Sequence, residues 1–119
     1  MPMTQDEKIG LLRYAIENSK QVSAVVRNLP RVFCPHILGK RNHSFYVVAW
    51  QFDGFSTIGD LPNWRRFGLD EITSMQFVDG PWQRGIRRLR GPRKFEFDQV
   101  DAIAGPGHLG DVRVVSPKV

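Results

Sequence analysis

Hydrophobic residues near the N-terminus recur at helical spacing. Thr4 and Glu7 have the spacing of a capping box, in which the threonine hydroxyl accepts a hydrogen bond from the Glu7 backbone and the glutamate carboxylate accepts one from the Thr4 backbone. The apolar positions that follow fall on one face of a helix. They are Ile9, Leu12 and Ile16, with Leu11 and Ala15 beside them. We therefore predict an amphipathic helix over residues 5–18.

Beyond residue 20 the apolar pattern changes to the two-residue alternation of β-strands. The run 45–52 is rich in aromatic and β-branched residues, which predicts a central strand. Further strands are predicted at 22–26, 31–38, 64–69, 73–78 and 94–100. Pro35 has no N–H to donate to a neighbouring strand, so its strand either lies at an edge of the sheet or bulges there.

Polar stretches and stretches rich in glycine and proline separate these strands. A turn is expected at 39–44, a long loop at 53–63, a short turn at 70–72 and a break at 79–81. One helix followed by at least five short strands predicts a mainly β fold, either a small antiparallel barrel or a rolled sheet. At 119 residues we expect a single domain, 1–119, with its barrel over about 20–100 and a flexible tail over about 104–119.

The basic residues are concentrated in one stretch of the chain. The protein has 17 lysines and arginines against 12 aspartates and glutamates, and the stretch 83–94 holds six of the bases and no acid. Without them the rest of the chain has 11 basic and 12 acidic residues. Residues 84–94 are termed the basic segment, and its charged residues are Arg84, Arg87, Arg88, Arg90, Arg93 and Lys94.

Clustered arginines favour an acidic polymer as partner, because a guanidinium group binds two phosphate oxygens in a fork that lysine does not reproduce. Trp64, Trp82 and Phe95 are near the basic segment in the sequence and offer faces on which unpaired bases stack, and Tyr46 is a further candidate. Single-stranded nucleic acid is therefore the leading ligand. The equally weighted alternative is a solvated loop that aids solubility.

Arg65 and Arg66 form a second, smaller basic element directly after Trp64. Neighbouring residues of a strand point to opposite faces, so we expect one arginine to face the barrel and the other to face solvent. Either one could bind an anion. The alternative is an ion pair with Asp70 or Glu71.

The composition predicts a cytoplasmic protein that does not cross a membrane. The longest apolar run, 45–50, is six residues long, whereas a membrane-spanning helix needs roughly 20. The N-terminus lacks the basic and apolar regions of a secretory signal. The single cysteine, Cys34, cannot form an internal disulfide, which fits a reducing compartment.

Cys34, His36 and His43 are the one close set of soft metal-ligand types in the sequence. A closed zinc site needs four ligands, and the fourth is missing locally, although His108 could come from a distance. A packed Cys34 and a partly buried His36 are the favoured alternative. The same two residues have no evident third group to orient them for nucleophilic catalysis.

Two other motifs also have an ordinary explanation. Residues 105–110 match the spacing G-x-G-x-x-G, but a strand-like run follows where a dinucleotide fold has a helix, so a flexible linker is favoured. Glu96 and Asp98 share one face of a predicted strand, where an exposed acidic face is commoner than a catalytic pair. No nucleophile, base and orienting group occur together, so we predict no enzyme, no cofactor and no metal.

The order of several motifs resembles the WYL domain of bacterial regulators. Residues 45–47, Phe-Tyr-Val, stand at the Trp-Tyr-Leu triplet that names the family, and Pro35 with His36 stands where a proline and an aromatic residue usually lie. A second family motif, R-x-F-x-L-D-R-I, aligns with residues 65–72. Its matching positions are Arg65, Phe67, Leu69, Asp70 and Ile72. The resemblance covers about residues 11–78, and the elements at 34–39 and 79–82 are also similar to small stand-alone bacterial proteins of unknown function.

The resemblance implies an SH3-like or Sm-like barrel that binds a ligand, in some members single-stranded nucleic acid, through basic groups near these motifs. Gly68 and Glu71 stand where the family often has basic residues, and we hypothesise that the basic segment replaces them. A DNA-binding helix-turn-helix, which usually accompanies the domain, has no room here, so a complete repressor is not expected.

We therefore expect a non-enzymatic ligand-binding or regulatory module for an anionic ligand such as single-stranded nucleic acid. The residues expected to contact the ligand are Tyr46, Trp64, Arg65, Arg66, Trp82, Arg84, Arg87, Arg88, Arg90 and Arg93. The alternative is a protein-interaction or dimerisation module, such as a homodimer, in which Trp82 and Phe95 anchor the interface.

Overall fold

One α-helix precedes eight β-strands in the computed structural model, which describes residues 3–55, 60–85, 95–104 and 112–114. The helix is α1 (Gln5–Asn18). The strands are β1 (Gln21–Val26), β2 (Leu29–Arg41), β3 (Ser44–Gly54), β4 (Asn63–Gly68), β5 (Ile72–Val78), β6 (Phe95–Phe97), β7 (Gln99–Ile103) and β8 (Val112–Val114). A short 3-10 helix, Leu69–Glu71, joins β4 to β5. The prediction of a mainly β fold with one N-terminal helix is confirmed.

The capping box fixes the start of α1 where the sequence predicts it. The Glu7 backbone N–H donates to the Thr4 hydroxyl at 3.2 Å, and the Thr4 N–H donates to the Glu7 carboxylate at 2.9 Å. Hydrogen bonding of the carboxylate to the Thr4 backbone, and secondarily to the Thr4 side chain, lowers the pKa of Glu7. The helix ends at Ser19, which adopts a left-handed conformation. The buried residues of α1 are Leu12, Ala15 and Ile16.

Five strands form an antiparallel sheet in the order β4-β3-β2-β1-β5. The long strand β2 has two partners along one of its edges: β1 pairs with its first part, residues 29–33, and β7 pairs with residues 37–40. The sheet therefore branches and rolls without closing into a barrel. The face that packs against α1 is termed the inner face, and the opposite one is termed the outer face.

Pro35 marks a bulge in β2, as its missing N–H predicts. The pairing register with β3 shifts between Pro35 and Ile37. His36 and Ile37 consequently both pack on the outer face, His36 against Trp64 and Ile37 against Val48. The bulge thus adds one side chain to the outer face at the centre of the sheet.

Three sequence-based boundaries are wrong in detail. The turn expected at 39–44 is shorter, because β2 continues to Arg41 and only Asn42 and His43, both with positive φ, make the reversal. The loop expected at 53–63 is shortened at its start, where β3 continues to Gly54. The single strand expected at 94–100 is divided at Asp98, whose carboxylate accepts hydrogen bonds from Arg41 and from the Asn42 backbone.

Two of the last described strands, β6 and β8, do not pair with the main sheet. β6 and β8 pair in parallel as a separate two-stranded sheet. Phe97 of β6 is buried on the outer face, where it packs beside Gly39: a Cβ at Gly39 would lie 2.4 Å from the Phe97 ring. Within the tail that we expect to be flexible, residues 112–114 form β8, and residues 105–111 and 115–119 lie outside the described part of the chain. In the described part of the chain no helix is long and apolar enough to cross a membrane.

Candidate functional site

Aromatic side chains from three neighbouring strands meet on the outer face. The His36 ring of β2 contacts the Trp64 ring of β4 edge-on, with centroids 4.9 Å apart, and Trp64 contacts Trp50 of β3 at 5.2 Å. Trp82, which follows β5, packs against His36 at 4.6 Å. These four residues are termed the aromatic cluster. Such ring pairs stabilise a surface beyond the area that they bury.

The chain that enters the basic segment crosses this cluster. The Gln83 carbonyl lies 2.9 Å from His36 Nε2, and because a carbonyl only accepts, Nε2 carries the proton. Trp50 Nε1 donates to the Gln83 side chain at 3.2 Å, and the Gln83 N–H donates to Cys34 Sγ at 3.4 Å. Residues 82–85, termed the strap, are therefore fastened to β2 and β3.

Gly85 completes the strap. Its φ of +74° is a conformation that glycine adopts without strain. A Cβ at this position would lie 2.7 Å from the rings of both Trp50 and Trp64. The backbone consequently passes directly over the two tryptophans, and the strap extends across the outer face from β2 towards β4.

Cys34 lies beneath the strap as a packed thiol, as the sequence favours. It is fully buried, and burial raises its pKa, an effect that the hydrogen bond from Gln83 offsets only in part. A neutral, enclosed thiol is a poor nucleophile. Among the described residues, no group of three His, Cys, Asp or Glu side chains is placed to hold a metal ion.

Arg66 and Tyr46 lie on the same outer face, beyond Trp64. Arg66 is exposed, and its guanidinium carbon stands 4.7 Å from the centroid of the Tyr46 ring. Arg84 is also exposed, one residue before the point where Gly85 covers Trp64. The structure thus places three of the predicted contact residues on one face, namely Tyr46, Trp64 and Arg66, and Arg84 belongs to the strap that crosses this face. Trp82 joins them through His36.

Arg65 lies on the opposite face of the sheet from Arg66, so the structure does not bring these two predicted contact residues together. Strand β4 alternates, so Trp64 and Arg66 face outward, while Arg65 shares the inner face with Phe67. Of the two acids predicted to pair with these arginines, Glu71 binds Arg27. The predicted contacts Arg87, Arg88, Arg90 and Arg93 lie outside the described residues.

Glu96 of β6 and Asp98, which follows that strand, form ion pairs with Arg41. Asp98 lies 2.9 Å from Arg41, and Glu96 lies 3.7 Å from the same guanidinium. Glu96 is exposed and Asp98 is partly buried, so the expected exposed acidic face describes only Glu96. Both carboxylates face one cation, and this arrangement joins the end of β6 to the end of β2.

Sequence reasoning missed Arg31 on the inner face. Only 3% of the residue is exposed, and its guanidinium carbon lies 5.3 Å from the Phe67 ring. One nitrogen donates to Gln51 Oε1 at 3.4 Å, whereas the buried Nε has no hydrogen-bond partner. Burial lowers the pKa of Arg31, and the charges of Arg27 and Arg65 add to the effect. Its two-residue spacing from the apolar Phe33 was the signal that it faces inward.

Comparisons with protein-family models, with curated proteins and with solved structures found no match for this chain. The resemblance to WYL domains therefore stays a prediction. Functional inference rests on the chemistry of the outer face and on the charges around it.

Proposed function

We propose that this protein is a non-enzymatic binding module that holds single-stranded nucleic acid on its outer face. The observation that carries the proposal is the position of the strap, residues 82–85, which is fastened to His36, Trp50 and Cys34 and places the start of the basic segment beside Trp64. In the sequence the basic segment and the predicted barrel are separate features. The strap makes them neighbours.

The outer face offers the two groups that single-strand binding requires, cations for the backbone and flat surfaces for the bases. Arg66 and Arg84 would bind phosphates, and the arginines of the basic segment would extend the path. The Arg66 guanidinium is stacked on Tyr46, so its plane is held in place and presents a surface on which a base can stack. Trp64 and Trp82 are partly exposed and would contribute ring edges or faces.

The WYL resemblance and the expected cytoplasmic location belong to this proposal. Both agree with a nucleic-acid partner, and neither is needed for the argument from the outer face. Arg65 is no longer among the proposed contacts, because it faces the other side of the sheet.

The test is binding of a labelled oligothymidine of roughly 15 nucleotides, measured by fluorescence anisotropy. Arg66→Gln and Arg84→Gln should each weaken binding several-fold, and the joint change of Arg87, Arg88 and Arg90 to Ala should weaken it further. Arg13→Gln is the matched control, because Arg13 lies on α1 and its charge is paired with Asp101. Unchanged affinity in the outer-face variants would contradict the proposal.

A second candidate function, self-association, is favoured by a different surface. Tyr14 of α1 and Phe77 of β5 are 50% and 46% exposed, and their rings contact each other at 5.3 Å. In the part of the chain that the structure describes, β5 pairs only with β1, and its sequence contains no charge or proline to discourage edge pairing. Sedimentation tests this candidate: a monomer across micromolar concentrations contradicts it. The predicted anchor Trp82 packs instead on His36.

A further inference from the structure

The Asp70 carboxylate reaches the outer face through the space that Gly68 leaves. Gly68 lies two residues after Arg66 in β4 and pairs with Tyr46, so it belongs to the outer face. A Cβ at Gly68 would lie 2.7 Å from Asp70 Oδ1 and 3.6 Å from Cε1 of the Tyr46 ring. The glycine backbone is extended, with a φ of −73° that any residue adopts. Its missing side chain is therefore what admits the carboxylate beside Tyr46.

Tyr46 consequently has both a cation and an anion as neighbours. The Arg66 guanidinium lies over its ring, and the Asp70 carboxylate lies near the ring edge. Arg66 and Asp70 are both exposed, so a ligand can reach them from solvent. Within the described ranges of the chain neither side chain forms an ion pair, since every salt bridge there involves other residues. Their hydrogen-bonding groups are available to a ligand.

Phosphate binding does not explain an acid at this position. A carboxylate repels the phosphates of a nucleic-acid backbone, so Asp70 opposes the contacts that Arg66 would make with them. An ionised carboxylate is, however, a pair of hydrogen-bond acceptors, and a guanidinium is a fork of donors. Because the Arg66 guanidinium lies over the Tyr46 ring, the N–H groups at its edges are directed away from that contact. Arg66 and Asp70 together therefore offer donors and acceptors to the edge of a base.

Guanine is the base whose edge matches both groups. It presents O6 and N7 as adjacent acceptors, which an arginine fork binds. It also presents N1–H and the N2 amino group as adjacent donors, which a carboxylate binds with both oxygens. Adenine, cytosine and thymine do not carry two adjacent donors on one edge, so none of them uses both protein groups fully.

We propose that Tyr46, Arg66 and Asp70 form a guanine-specific position on the outer face. The inference rests on the proposed nucleic-acid function and adds a base preference to it. Arg66 would donate to O6 and N7, Asp70 would accept from N1 and N2, and Tyr46 holds the guanidinium in place. The acid that weakens the binding of phosphates thereby contributes selectivity between bases.

The test compares labelled oligonucleotides of roughly 15 nucleotides by fluorescence anisotropy. One is oligothymidine, and the others carry guanine, inosine or adenine at every fifth position. Adenine controls for the stronger stacking of a purine, so guanine should bind at least about fivefold more tightly than adenine. Inosine keeps O6, N7 and N1–H but lacks the N2 amino group, so its affinity should lie between the two. Equal affinities for the guanine and adenine oligonucleotides would overturn the inference.

Two variants separate base recognition from general affinity. Asp70→Asn keeps the size of the side chain but replaces one acceptor by a donor, so the preference for guanine over adenine should fall below about twofold. Its oligothymidine affinity should stay the same or rise, because a negative charge is lost. Arg66→Lys keeps the charge but lacks the fork, so the guanine preference should fall while oligothymidine affinity changes little. A full guanine preference in Asp70→Asn contradicts the proposal.

Asp79→Asn is the matched control for the loss of charge. Asp79 is exposed and follows β5, whereas Asp70 lies before the other end of that strand. The control should keep the full ratio of guanine to adenine affinity, and an equal fall of that ratio in both variants would overturn the assignment to Asp70. Binding of every oligonucleotide with equal affinity would overturn the guanine position and leave the proposed function standing. Failure to bind any of them would contradict both.

Discussion

The Gln83 carbonyl accepts a hydrogen bond from His36 Nε2 at 2.9 Å. This contact joins the strap, which follows β5, to the bulge in β2. His36 is the extra residue of the bulge, where the pairing of β2 with β3 shifts between Pro35 and Ile37. Gln83 is the residue before the first arginine of the basic segment. The hydrogen bond to His36 therefore holds the start of the basic segment against the outer face.

Replacing His36 should release the strap. His36→Ala removes a buried ring that touches Trp64 and Trp82 and leaves the Gln83 carbonyl without its donor. We expect the free energy of unfolding to fall by about 2–4 kcal/mol, from the cavity and the lost hydrogen bond together. Urea denaturation measures the change. The control His43→Ala alters an exposed turn residue and should shift stability by less than about 0.5 kcal/mol; equal losses in both variants would contradict this role for His36.

Gly85 and Gly10 form a matched pair of glycine tests. Gly85→Ala adds a Cβ 2.7 Å from two tryptophan rings at a positive φ, so it should destabilise the protein by about 1–3 kcal/mol and weaken oligothymidine binding. Gly10→Ala lies in α1 with no atom within 4 Å of the new Cβ and should stabilise by about 0.5–1 kcal/mol. Thermal unfolding gives both values. A neutral Gly85→Ala would show that the strap does not lie against Trp50 and Trp64.

The buried Cys34 thiol should make stability decline at alkaline pH. Burial raises its pKa above the ordinary thiol value of about 8.5, so the unfolded chain loses its thiol proton at a lower pH than the folded chain. The resulting stabilisation is complete below the unfolded value and is lost as pH rises towards the folded one. Cys34→Ala removes this contribution, and its urea midpoint should fall less steeply above about pH 8.5. Parallel pH profiles of the two proteins would refute the assignment.

The capping box predicts a smaller, local effect. Thr4→Ala removes the hydroxyl that accepts the Glu7 backbone N–H, and helix N-caps of this kind contribute about 1 kcal/mol. Circular dichroism during urea denaturation should report that loss. Ser19→Gly, at the left-handed end of the same helix, should be neutral or stabilising because glycine adopts that conformation without strain. A larger loss from Ser19→Gly than from Thr4→Ala would contradict this description of the helix ends.

Features that depend on local sequence were predictable, and features that depend on long-range packing were not. Thr4 and Glu7 located the helix, and Pro35 located the bulge, because each acts through its own backbone neighbours. The division of the last predicted strand at Asp98 depends on Arg41, which is 57 residues away in the chain. Residues Phe95 and Phe97 alternate as in one strand, so local pattern alone could not reveal it.

The candidate site also contains features that local sequence predicted and features that depend on long-range packing. The strand alternation of Arg65 and Arg66 predicted that they face opposite sides, but not that Arg66 would lie on the face that the strap crosses. Arg31 was overlooked because a charged residue in a strand normally faces solvent. The two-residue spacing from Phe33 indicated only its direction, whereas its burial depends on Phe67 and Gln51, which come from other strands.

The dependence of oligothymidine affinity on salt tests the central proposal most directly, because phosphate neutralisation releases counter-ions. A face that neutralises about five phosphates should lose about 100-fold in affinity between about 50 and 200 mM salt. In the double variant Arg66→Gln and Arg84→Gln, the slope of log K against log salt should decrease in magnitude by about 1.4. Affinity that is equal at both salt concentrations, or a slope that the double variant leaves unchanged, would contradict nucleic-acid binding by the outer face.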